Sequence, residues 1–99
     1  MSLNLDDNAL KLKGCKAICE ALKSNTKLTS LSVCNNGFQA KSSAAIADML
    51  GTNGALETIT FGDEKAVTMK ADMTEADFSG KKLGASGAMI VAAFLPKCR

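Results

Sequence analysis

The chain has 99 residues, a net charge of +2 at pH 7, 22% charged residues and no His, Trp or Tyr. That length is one domain's worth of chain, and scattered lysines without aromatic neighbours argue against a nucleic-acid partner. No apolar run approaches the roughly 18 residues of a membrane-spanning helix, so no membrane partner is expected.

Residues 2–6 read as a short strand, with Leu3 and Leu5 on one side and Ser2, Asn4 and Asp6 on the other. Asn8 and Leu10 follow as loop residues, and Gly14 is expected as a permissive turn before a helix over 14–24. Ala17, Ile18, Ala21 and Leu22 share one face of that helix, and Asn25 ends it. A second strand is expected over 29–34, then a loop through Asn36 and Phe38. A helix over 42–51 follows, with Ala45, Ile46, Met49 and Leu50 buried. Leu56, Ile59 and Phe61 begin a third unit. Gly62 to Ala66 then reads as a turn, and Val67-Thr68-Met69 as the return strand of a hairpin. Beyond Met73, Ala76 and Phe78 are expected to point inward. Gly80 to Gly87 is a loop, and 87–95 is a final helix burying Ile90, Val91, Phe94 and Leu95 before Pro96.

These elements repeat. Leu3, Leu5, Asn8, Leu10, Gly14, Ile18, Leu22, Asn25 and Leu28 reappear 28 residues later as Leu31, Val33, Asn36, Phe38, Ser42, Ile46, Leu50, Asn53 and Leu56. Ile59 and Phe61 continue the period, which returns after a 17-residue slip at Ala76, Phe78, Lys81, Leu83, Gly87, Val91 and Leu95. A period in the 20s with Leu, Leu and Asn in this order resembles a leucine-rich repeat. Gly14-Cys-Lys-Ala-Ile-Cys-Glu-Ala-Leu22 and Leu83-Gly-Ala-Ser-Gly-Ala88 are similar to the ribonuclease-inhibitor-like class, which carries a helix in every repeat.

The resemblance implies an α/β leucine-rich-repeat solenoid with a short parallel sheet on the concave side and helices on the convex side. It implies one domain over 1–99, with repeats near 1–27, 28–55 and 73–99. The third repeat, 56–61, is interrupted by a hairpin insertion at 62–72. In this class the repeat asparagines bond to backbone groups of adjoining turns. Met1 leads straight into the first strand without a polar cap, as expected of a segment from a longer repeat protein, which would self-associate through uncapped ends. The N-terminus lacks a signal-peptide layout, and a cytoplasmic location with four reduced cysteines is the expectation.

Members of the class bind proteins, stack as scaffolds or regulate GTPases. The expected function is a non-catalytic protein–protein interaction module. It would use the exposed strand rows Ser30, Thr58, Glu75; Asn4, Ser32, Thr60, Asp77; and Asp6, Cys34, Ser79, with the hairpin as a second surface. Acidic residues fall near the strands and lysines near the helices, so an acidic concave face is expected. With no His, no Tyr and no serine beside a candidate base, catalysis has no support. No cofactor is expected. Gly80 to Gly87 looks like a phosphate loop but lacks the βαβ context and the later acidic residue such a loop needs.

Cys15 and Cys19 have a spacing that can place two thiolates on one metal. They align with Ser43 and Ala88, and with Ala47 and Ala92, so the repeat reads them as small packing residues and no metal is expected. Cys34 aligns with Asp6, Gly62 and Ser79 and is expected to face solvent.

Overall fold

The computed structural model of the chain describes residues 1–98. Three short parallel strands, β1 (Ser2–Asn4), β2 (Ser30–Ser32) and β3 (Thr58–Phe61), are followed by β4 (Val67–Lys70), which runs antiparallel to β3. The sheet is mixed and open, in the order β1-β2-β3-β4. Helices α1 (Lys11–Leu22), α2 (Ala40–Thr52) and α3 (Gly84–Phe94) pack side by side, and a 3-10 turn, Leu95–Lys97, is the last regular element among the described residues. The fold class is therefore α/β.

The 28-residue period becomes strand register. Ser2 pairs with Ser30 and Ser30 with Thr58, and Leu3, Leu31 and Ile59 align in the same way. Alternation sends Leu31, Ile59 and Met69 into the core, while the intervening hydroxyl residues face away from the helices. One apolar cluster joins Leu31, Val33, Ile59, Phe61, Val67 and Met69 of the sheet to Leu22, Ile46, Met49, Leu50, Ile90 and Phe94 of the helices. Val33 and Phe61 belong to this cluster, and the half-buried Leu5 and Phe78 pack against it.

Buried amides tie the units together. Asn36 is fully buried, and its Oδ1 accepts from the backbone N–H of Asn8 (2.9 Å) and Leu10 (3.2 Å). Its Nδ2 donates to the carbonyls of Leu5 (2.9 Å) and Cys34 (3.2 Å). Asn53 does the same at the other end of the helices: Nδ2 donates to Leu22 O (2.6 Å) and Asn25 O (3.1 Å), and Oδ1 accepts from Ala55 and Leu56 N–H. Every hydrogen-bonding position of these two side chains that faces the protein is used, as burial of an amide demands.

The loops repeat their backbone as well. Asp7, Asn35 and Gly80 have φ of 59°, 56° and 68°; Ala9, Gly37 and Lys82 have 48°, 68° and 53°. These are equivalent positions across the period and its slip, so the last unit retains the loop conformation of the first two. Four of the six are not glycine, and the surrounding hydrogen bonds hold them in the left-handed region.

Several sequence expectations are corrected here. The fourth parallel strand near 74–79 does not form. β4 lies on the edge of β3 that such a strand would occupy, because Val67 and Met69 bury against the core from that edge (2% and 0% exposed). Ala76 is exposed as a result. The hairpin is thus the fourth member of the sheet. Its turn is closed by Gly62 at φ 119°, where a Cβ would collide with the Lys65 carbonyl.

Gly14 is no turn residue. It lies inside α1, and a Cβ there would stand 3.0 Å from Leu10 Cβ; Gly87 is in the same position against Leu83, at 2.9 Å. Close approach, not backbone freedom, selects glycine at these two sites. The buried face of α1 is Cys15, Cys19 and Leu22, with Ala17 and Ala21 exposed. Leu95 is also exposed, at 53%. Both helices at the ends of the row have a neighbour on one side only, so their expected apolar faces are half used.

Candidate functional site

Helices cover one face of the sheet, and the other is open. Across it run two rows set by the strand register: Ser2, Ser30, Thr58 and Lys70, and Asn4, Ser32, Thr60 and Thr68. Ser30, Ser32, Thr58 and Thr60 are half-buried within the sheet, with strands about 4.8 Å apart. The outer members, Ser2, Asn4, Thr68 and Lys70, are exposed. The Thr60 and Thr68 hydroxyls hydrogen-bond each other at 2.9 Å. The result is a flat patch of short side chains that carry donors and acceptors but little charge.

Asp6 closes the carboxyl end of the patch. Its Oδ1 accepts from Ser32 Oγ (2.7 Å) and from the Cys34 backbone N–H (2.6 Å), linking the first unit to the second. Asn4 Oδ1 accepts from the Asp6 N–H at 2.8 Å, which turns the chain out of β1.

Of the ten residues expected on the strand rows, Asn4, Ser30, Ser32, Thr58 and Thr60 sit together on this face, with Asp6 at its end. Cys34 does not face solvent: it is 7% exposed. Burial pushes its thiol above the ordinary value, against a lowering contact from the Ser32 hydroxyl, and the Asp6 carboxylate adds to the rise. A thiol held protonated in this way is a poor nucleophile. Glu75, Asp77 and Ser79 lie on the exposed segment after β4, off the sheet. Asp77 accepts from the hydroxyl and the backbone N–H of Ser79, which hold its carboxyl below the usual range.

The acidic concave face is corrected with them. Asp72, Glu75 and Asp77 leave the sheet, Asp63 and Glu64 sit in the hairpin turn, and the rows themselves carry one cation, Lys70.

The sequence reading missed a cleft of about 230 Å³ between the hairpin turn and the start of α3. Phe61, Val67 and Ile90 floor it, Phe38 and Leu83 wall it, and a Lys82–Glu64 ion pair at 3.3 Å spans its rim. The signal was the recurrence of Leu10, Phe38 and Leu83. With β4 occupying the place of a regular unit, Phe38 and Leu83 face each other across a gap.

Among the described residues, no three Cys, Asp or Glu side chains converge as a metal-binding group, and no helix is long and apolar enough to cross a membrane. No protein-family model, curated protein or solved structure matches the chain.

Proposed function

We propose that the chain is a leucine-rich-repeat segment of the ribonuclease-inhibitor-like class that acts as a non-catalytic protein-interaction module. Its recognition surface is the open sheet face, the concave side of such a solenoid. The reading rests on one observation: Ser30, Ser32, Thr58 and Thr60 form an in-register hydroxyl patch that no part of the described chain covers.

Four half-buried hydroxyls on paired strands are already ordered, so a partner meets them with little further entropy cost. The fitting partner is a protein with a polar surface of amides and hydroxyls and a carboxylate opposite Lys70. The asparagine ladder and the recurring loop backbone support assignment to the repeat class.

The test is capture of partners by immobilised wild type, by the Ser30→Arg/Thr58→Arg double variant and by Lys13→Glu on the exposed side of α1. Both changed strand side chains point away from the core, so the double variant should keep its melting temperature. Proteins held by wild type and Lys13→Glu but lost by the double variant support the reading; equal retention by all three rejects it.

A second reading, a structural segment that stacks with further coils, is favoured by the first unit. Leu3, Leu5 and Ile18 are half-buried there, whereas their equivalents Leu31, Val33 and Ile46 are buried. Its signature in the same experiment is retention of this chain's own second copy, unaffected by the strand substitutions.

A further inference from the structure

Cys15 and Cys19 sit one turn apart on the α2-facing side of α1, with their sulfurs 3.9 Å apart and their exposures at 2% and 5%. Packing alone does not ask for this pair. The equivalent positions are filled by Ser43 and Ala88, and by Ala47 and Ala92, so the repeat needs only a small side chain at each. We propose that the two sulfurs form a two-coordinate site for a soft monovalent metal ion, copper(I) by chemical class. The site is separate from the open sheet face and does not depend on what that face binds.

The donor set selects the metal. The sulfurs are the only strong ligands in the group, since the chain has no His and no carboxylate or third cysteine converges on them among the described residues. A structural zinc site needs four ligands, and calcium or magnesium needs oxygen. An ion content with two thiolates is soft and of low coordination number.

Space and access are both present. A void of about 10 Å³ is lined by Cys15, Cys19 and apolar residues that include Leu10, Val33 and Phe38. That is room for about one small sphere in a dry setting. Two metal–sulfur bonds of about 2.3 Å laid end to end span about 4.6 Å. The sulfurs therefore part by about 0.7 Å to take the ion in line. Cys19 also walls the open groove between α1 and α2, beside Lys16, Lys23 and Lys41, so an ion reaches the pair from solvent without crossing the core.

The charges balance as follows. Two thiol protons leave as one metal cation arrives, so a neutral pair becomes a site of one net negative charge. Lys23, one turn beyond Cys19, offsets part of that charge, while Asp48 of α2, ion-paired with Lys23 at 2.9 Å, opposes it. The contact between the two thiols already draws the Cys15 thiol below its ordinary value, while the same contact and burial hold Cys19 up. Loss of the second proton is the harder step, so uptake strengthens as pH rises.

The test uses the reduced full chain under anaerobic conditions, with copper(I) supplied as its acetonitrile complex in competition with a chromophoric copper(I) chelator. The expected result is one copper per chain, abolished by Cys15→Ala and by Cys19→Ala and kept by Cys34→Ser and Cys98→Ser. Alanine stands at both positions in the last unit, as Ala88 and Ala92, and circular dichroism checks that both variants fold. X-ray absorption of the copper-loaded wild type should show two sulfur neighbours. Equal copper retention by the alanine variants, loss only in Cys98→Ser, or complete transfer of copper from wild type to the chelator would each overturn the proposal.

Discussion

The first two units and the segment from β3 to the end of the chain are built on one loop backbone but held together differently. In residues 1–56, buried asparagines carry the junction, with Asn36 and Asn53 each bridging to the unit before. In residues 57–98 neither asparagine has a counterpart: Lys81 stands at the Asn8/Asn36 position, and the Lys97 ammonium takes over by donating to the Asn53 carbonyl. The sheet there continues through a hairpin, and α3, which has no charged residue, meets α2 through apolar contact. A unit can therefore join its neighbour by hydrogen-bonded amides or by apolar burial, and the two modes fail under different substitutions.

Phe94→Ala separates them most sharply. Phe94 is fully buried between α3 and the common core, and Ala21 is its equivalent in the first unit. Its truncation should cost about 4 kcal/mol, read by urea unfolding, with a single transition if the last unit shares the core. A separate early transition confined to α3 would mean that the last unit is its own cooperative block.

Asn36→Ala is next. It leaves buried donors and acceptors of the first unit unpaired and should cost about 3 kcal/mol. The exposed Asn8, whose amide bonds only within its own loop, should lose less than about 1 kcal/mol in the same change. Equal losses would show that the ladder is not what joins the units.

The smallest effect belongs to Lys97→Met, which keeps the apolar stem and removes the bond to Asn53. About 1 kcal/mol should be lost, and hydrogen exchange at the carboxyl end should speed up while α1 is unaffected. Burial holds the Lys97 ammonium below its ordinary value, so the folded state binds its proton less tightly than the unfolded chain. Its charge therefore costs stability below the folded-state value, and wild type should gain slightly on Lys97→Met as pH climbs towards the ordinary lysine value.

Much of this was legible in the chain because a period is a local quantity. The spacing of Leu3, Leu31 and Ile59 became strand register without adjustment, and the alternation of Val67 and Met69 named a strand correctly. Which edge that strand would take was not legible. The spacing of Ala76 and Phe78 also suits a strand, and only the prior occupation of the β3 edge decides between them. Glu75, Asp77 and Ser79 left the candidate site for that reason alone. Cys34 was misread for a different one: its exposure depends on Asp6 reaching across from the neighbouring unit, a contact no single repeat encodes.

The Nδ2 groups of Asn36 and Asn53 both donate backward, to carbonyls earlier in the chain. During synthesis, the acceptor carbonyls of Leu5, Leu22 and Asn25 leave the ribosome before the amides that need them. Each new unit thus finds the carbonyls its amide donors need already made, and the Asn53 oxygen completes its bonds with Ala55 and Leu56 only two and three residues later.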